Sequence, residues 1–176
     1  MGRQSFWRKM AKGTPNRRLI ADRGVVVANH PMAAAAGAEM FASGGNAIDA
    51  AMAACLAASV VEPAMSSIFG AGFVLIRRAD GEICALDNYV RSPAAAYDGL
   101  YRLRAVRGGI FHVDDYLNEI GHLAVGIPGS LKAYQQCVAK YGRLAWSVVC
   151  APAVRFARNG FEISALLADF IRGHER

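Results

Sequence analysis

GVVVANHP (residues 24–31), MAAAAGAEMFAS (32–43), GGNAIDAAMAACLAASVV (44–61), EPAMSSIFGAG (62–72) and FVLIRRADGEICALD (73–87) follow one another with almost no slack. The β-branched run at 24–28 reads as a strand buried on both faces. Asn29 is placed to cap the next helix, with Pro31 in its first turn. That helix spans 32–43 and stops at Gly44-Gly45. Asn46 then caps a second helix, and Asp49 three residues on completes a capping box. The second helix runs to about Val61 and is apolar nearly all round, which predicts burial. Its many alanines predict close approach to neighbouring backbones. Residues 73–78 and 82–87 read as a β-hairpin turning at Ala79-Asp80-Gly81. The two glycines of the 66–72 loop place its backbone near something bulky. That loop leads into a strand, whereas a dinucleotide fingerprint follows a strand and opens a helix, so dinucleotide binding is excluded.

Outward from this stretch the pattern is less regular. Residues 94–123 read as irregular, with a short helix around 114–120. Residues 123–129 form an extended piece ending at Pro128-Gly129. Ser130 is placed to cap a helix to about Tyr141, and a further helix spans 145–158, with Pro152 at a kink or at the start of a second segment. Ser164 starts a last helix. Three strands cannot close a sheet under large apolar helices, so the order predicts a portion of a layered α+β domain.

Composition narrows the function. Hydrophobic residues make up 54% of the 176, enough for a core. The net charge of +6 is concentrated in residues 1–23, and outside them bases and acids balance at 13 each. The chain therefore divides into a basic, disordered tail (1–23) and a neutral folded portion (24–176). A nucleic-acid-binding face is not expected. The tail lacks the apolar core of a secretory signal; it reads as a disordered extension or, loosely, as a mitochondrial-type presequence. The longest apolar run, 50–61, is too short for a membrane span. Cys55, Cys84, Cys137 and Cys150 show no metal or redox spacing, and the four histidines are scattered. Neither a metal nor a cofactor is expected, and a reducing, cytoplasmic compartment is.

The ordered series Gly24-Val25-Val26-Val27-Ala28, His30-Pro31, Gly37-Ala38-Glu39, Gly44 to Ala51 and Val61-Glu62-Pro63 resembles the start of the gamma-glutamyltransferase (gamma-glutamyltranspeptidase) family. A second block agrees: residues 124–129, Tyr141-Gly142-Arg143-Leu144-Ala145-Trp146, Ala151-Pro152-Ala153 and 157–161. The resemblance covers about residues 24–170. It implies an N-terminal nucleophile hydrolase with an αββα sandwich, this chain being the helix-rich N-terminal part of the large subunit. It also implies attack by an N-terminal Thr on a gamma-glutamyl amide such as glutathione, with transfer to water or an amine.

The sequence departs from that pattern twice. Its one threonine, Thr14, lies in the tail before every matched segment, so no catalytic residue is expected in this chain. The expected partner is a Thr-bearing small subunit or the missing C-terminal part. The alternatives are a non-catalytic half of a split or degenerate enzyme, or a relative acting on another amide or acyl group. The second departure falls where the family places Asp-x-Arg-Glu-x-Ala-Pro, whose Arg binds the substrate carboxylate. Here the interval is Asp87-Asn88-Tyr89-Val90-Arg91-Ser92-Pro93. Tyr89 holds the Arg position and Val90 the acidic one. Arg91, two residues on, shares a face with Tyr89 in extended chain, about 6.5–7 Å away. Arg91 is either a displaced substrate contact or a surface ion-pair residue. Ser66 and Ser67 read as turn residues, His30 as structural, and Asp49 as a helix-start residue.

Overall fold

The computed structural model describes residues 21–107 and 110–173. Most of the expected tail lies outside them. Helix α1 (Pro31–Ala42) and helix α2 (Ala47–Val61) form an antiparallel hairpin. Strands β1 (Phe73–Arg77) and β2 (Ile83–Asp87) pair antiparallel, Phe73 opposite Asp87 and Arg77 opposite Ile83. Strands β3 (Leu103–Arg107) and β4 (Ile110–Val113) form a second antiparallel pair. Helices α3 (Ser130–Tyr141), α4 (Trp146–Asn159) and α5 (Ala165–Gly173) complete the chain.

Small residues set the helix packing. Ala33 and Ala36 of α1 meet Ala57 of α2 in one fully buried cluster. A Cβ at Gly37 would stand 2.8 Å from the Ala50 carbonyl oxygen and 2.8 Å from Val26 Cγ1, so the backbones approach there only because residue 37 has no side chain. Met40, Met52, Leu56, Ile76, Cys137 and Val149 form the main cluster, which joins α1, α2, α3 and α4 to the inner face of β1. The apolar α2 is thus largely covered within this chain.

Five expectations are corrected. Residues 24–28 make no ladder with any described strand, and Val27 is 89% exposed, while Val26 and Ala28 turn inward against the helices. His30, not Asn29, caps α1: its Nδ1 accepts the Met32 N–H at 3.2 Å, and the Asn29 amide instead donates to Glu62 at 2.7 Å. Residues 94–123 contain the β3–β4 pair. The helix expected around 114–120 is one 3-10 turn, Asp114–Tyr116, in which Asp115 adopts a positive φ of 53°. Gly129 takes the N-cap of α3 without a side-chain bond, because Ser130 is turned into the interior. Helix α4 runs through Pro152 as one element, with Pro152 buried.

One carboxylate ties the helical layer together. Asp49 is fully buried. Its oxygens accept the backbone N–H groups of Asn46 (2.8 Å), Arg143 (3.0 and 3.2 Å) and Leu144 (3.4 Å). The Asn46 side chain accepts from Ile48 and Asp49 and donates to the Tyr141 carbonyl at 2.6 Å. The capping box of α2 therefore also anchors the α3–α4 turn. A Cβ at Gly142 would overlap Asp49 Oδ1, which explains the glycine there.

Candidate functional site

The β1–β2 pair has two unlike faces. Val74, Ile76, Cys84 and Leu86 turn toward the helices. The alternate positions, Phe73, Leu75 and Ile83, stand open. Beyond β2 the alternation continues: Asn88 is buried, Tyr89 exposed, Val90 half-buried and Arg91 exposed. Tyr89 and Arg91 thus leave the same side of the chain. Tyr89 stacks on Phe73, centroids 5.7 Å apart at 26°, and the two rings are 55% and 73% exposed. Among the described residues the Arg91 guanidinium makes no ion pair or side-chain hydrogen bond.

This segment is held from behind. Arg91 and Ile127 exchange both backbone bonds, at 3.3 and 2.8 Å. The buried Asn88 Nδ2 donates to Ser130 Oγ at 2.9 Å, and that hydroxyl donates to the Gly70 carbonyl at 2.7 Å. The Asn88 N–H donates to the Gly72 carbonyl at 3.2 Å. A Cβ at Gly129 would stand 2.8 Å from the Asn88 carbonyl oxygen. The 88–91 segment thus crowds the Pro-Gly break, whereas in the glycine-rich loop a Cβ at Gly70 would stand 3.0 Å from the Ser67 carbonyl oxygen of the loop itself. Sequence reasoning missed Phe73, Asn88 and Ser130. Phe73 was legible only as an alternate strand position, and the Asn88–Ser130 link joins residues 42 apart without a motif.

The other residues weighed from sequence lie apart from this face. Ser66 Oγ donates to the Glu62 carbonyl and Ser67 Oγ accepts the Phe69 N–H, both local turn bonds. They line a cavity of about 400 Å³ with Cys55 and Tyr134. Thr14 lies outside the described residues. All four thiols are free, and among the described residues no three His, Cys, Asp or Glu side chains converge on a metal-sized point.

Burial pushes the Cys55 thiol above its ordinary 9.0, with a Tyr134 hydrogen bond pulling the other way, and burial also raises the Tyr134 hydroxyl above 10.0. Both groups hold their protons more tightly folded than unfolded. The stability they contribute is complete below those ordinary values and is lost as pH rises through the folded ones. The urea midpoint at pH 10 should therefore fall below that at pH 7.5, and less so in Cys55→Ala. An equal fall in both proteins would dismiss Cys55 as the cause.

The sequence model of the family described as Gamma-glutamyltranspeptidase matches residues 33–176. The chain belongs to the gamma-glutamyltranspeptidase family. Against the Acylase ACY 1 proenzyme of Pseudomonas sp. (strain SE83) it is 41% identical over 150 residues, 85% of this chain and 27% of that protein. Against the glutathione hydrolase proenzyme of Bacillus subtilis (strain 168) it is 33% identical over 159 residues, 89% of this chain and 26% of that protein. The crystal structure of Helicobacter pylori gamma-glutamyltranspeptidase superposes with a TM-score of 0.79 at 35% identity, covering 89% of this chain and 44% of that one. The fold is accordingly an α+β portion of the family's N-terminal nucleophile hydrolase fold. The chain spans about a quarter of the length of these curated relatives.

Proposed function

We propose that this chain is the N-terminal part of an enzyme that cleaves an acyl amide and passes the acyl group to water or an amine. The gamma-glutamyl amides of the glutathione hydrolases are the first substrate class, and the acyl amides of the acylases the second. The nucleophile in this reading is an N-terminal Thr outside this 176-residue sequence, activated by its own amine, which forms and then resolves an acyl-enzyme. This chain contributes one wall of the acyl site. The observation that carries the reading is Arg91. A chain of this family presents an exposed guanidinium without an ion pair among the described residues, on a backbone fixed by the Ile127 bridge, in the interval to which the family resemblance assigns the substrate carboxylate. A guanidinium pairs with a carboxylate in bidentate fashion. The acylase reading has its own support. Tyr89 occupies the family's arginine position and stacks on Phe73, and the 41% identical relative is named an acylase.

The test is to assay the chain alone, and the complete protein containing it, with chromogenic acyl anilides, gamma-glutamyl p-nitroanilide included. The complete protein should release p-nitroaniline, and removing the hydroxyl of its downstream Thr should abolish release. Thr14→Ala should change nothing, and the chain alone should be silent. Turnover by the isolated chain that survives Thr14→Ala would place the reacting group within these residues and overturn the reading.

A further inference from the structure

We infer that the cavity between residues 23–25, the α1–α2 turn and the α3–α4 turn binds a phosphate group carried on an apolar or aromatic body, and that Arg23 and Arg143 hold the phosphate. None of the lining residues belongs to the acyl site proposed above, and the inference stands without that reading.

The cavity measures about 630 Å³. Its charged lining is the two arginines, and no carboxylate residue lines it. Four other arginines sit against carboxylates: Arg78 beside Asp80 and Glu82, Arg104 beside Asp114, Arg155 beside Glu39 and Arg172 beside Asp169. Neither Arg23 nor Arg143 has such a partner among the described residues. Two carboxylates come close in sequence or in the fold, and neither serves. Asp22 precedes Arg23 but does not line the cavity. Asp49 is fully buried, with its oxygens committed to the N–H groups of Asn46, Arg143 and Leu144. Two like charges on one cavity repel, and an anion between them removes the repulsion. A guanidinium fork matches two phosphate oxygens at once, so a phosphate suits the pair better than a halide does.

The cavity also has an apolar wall. Val25, which is 49% exposed, and Phe41 both line it. An apolar or aromatic body attached to the phosphate loses water against them. Packing sets these walls. A Cβ at Gly24 would stand 2.5 Å from Phe41 Cζ, so the ring lies against bare backbone next to Arg23. The Arg143 N–H is held by Asp49 at 3.0 and 3.2 Å, which fixes the backbone from which its side chain extends. The start of α2 does not make the site. The Asn46 side chain and Asp49 already take the N–H groups of Asn46, Ile48 and Asp49. Selection for an anion therefore comes from the two arginine side chains.

The test is titration of the complete protein with phenyl phosphate, inorganic phosphate and phenol, at an ionic strength held constant with sodium chloride. Phenyl phosphate should bind, inorganic phosphate should bind about tenfold more weakly for lack of the ring, and phenol should not bind measurably. Arg23→Gln and Arg143→Gln should each weaken phenyl phosphate by about 10- to 100-fold, with partial recovery in Arg143→Lys. Val25→Ser should weaken phenyl phosphate and leave inorganic phosphate unchanged. Arg172→Gln removes an exposed charge elsewhere and should change neither.

Arg23, Val25 and Arg143 are exposed in this chain, and an unchanged melting temperature without ligand confirms folding in each variant. If Arg143→Gln alone lowers that temperature and Arg143→Lys restores it, the guanidinium pairs with a carboxylate from the rest of the protein, and the inference fails. It fails equally if Arg172→Gln weakens binding as much as Arg143→Gln, because the anion then meets only net charge. No binding of phenyl phosphate at millimolar concentration, or equal binding of phenyl and inorganic phosphate, also overturns it. Anilide turnover enters none of these arms, so the acyl-transfer reading stands or falls separately.

Discussion

Asp49→Ala should destabilise the folded chain by about 3–5 kcal/mol. The carboxylate is buried, and it accepts the backbone N–H groups of Asn46, Arg143 and Leu144. Each buried donor left without a partner costs roughly 1–3 kcal/mol, partly relieved by water entering the vacated space. Asp49→Asn should be nearly as damaging, at about 2 kcal/mol or more. Donors approach both carboxylate oxygens, so either orientation of an amide would point its own N–H groups at another donor. Glu39→Gln is the contrast. Its ion pair with Arg155 at 2.7 Å is exposed, and its loss should cost less than about 1 kcal/mol. Urea unfolding, followed by circular dichroism on a chain made soluble by lysines at positions 75 and 83, measures all three. An Asp49→Asn midpoint indistinguishable from that of Glu39→Gln would show that the buried carboxylate does not hold the α3–α4 turn.

The same residue shows how far the sequence could be read. The capping box at Asn46 and Asp49 was legible because its partners lie within three residues. The second half of Asp49's role was not, because Arg143 and Leu144 are more than ninety positions away. Local chemistry also gave the helix ends at Gly44 and Asn159, the first hairpin and the start of α5 at Ser164, whose Oγ accepts the Leu167 N–H. The errors have one cause. A β-branched run such as Val25 to Val27 states a preference for extended chain but not where its ladder partner is, and none of the described strands supplies one. Ser130 has the composition of a cap, yet a buried Asn88 outcompeted the helix end for its hydroxyl. Pro152 forfeits one intrahelical bond, but its ring is buried beside Val149 and Ala153 in a helix that continues past it. At the candidate site, Tyr89 and Arg91 were visible as a departure from a family pattern. Phe73 became visible only through the stack, because alternation along a strand does not say which ring it will meet.

Lysines at positions 75 and 83 should have opposite effects in two settings, and that opposition tests what the open face is for. Leu75 and Ile83 are 74% and 62% exposed on the side of the β1–β2 pair away from the helices. Both strands also have one unpaired edge among the described residues. An apolar face flanked by free edges is a site for association. The isolated chain should therefore self-associate, and Leu75→Lys with Ile83→Lys should return it to a monomer with its helical core unchanged, since neither side chain belongs to that core. In the complete protein the proposed αββα arrangement covers this face with a second sheet. There the same two lysines would be buried without partners, at a cost of several kcal/mol, and the protein should fail to assemble or lose its activity. Light scattering on the chain and gel filtration with anilide turnover on the complete protein read the two arms. A complete protein that tolerates both lysines would mean that this face remains open to solvent after assembly. The acyl site would then lack the opposing layer that excludes water from it, and Arg91 would be a surface cation after all.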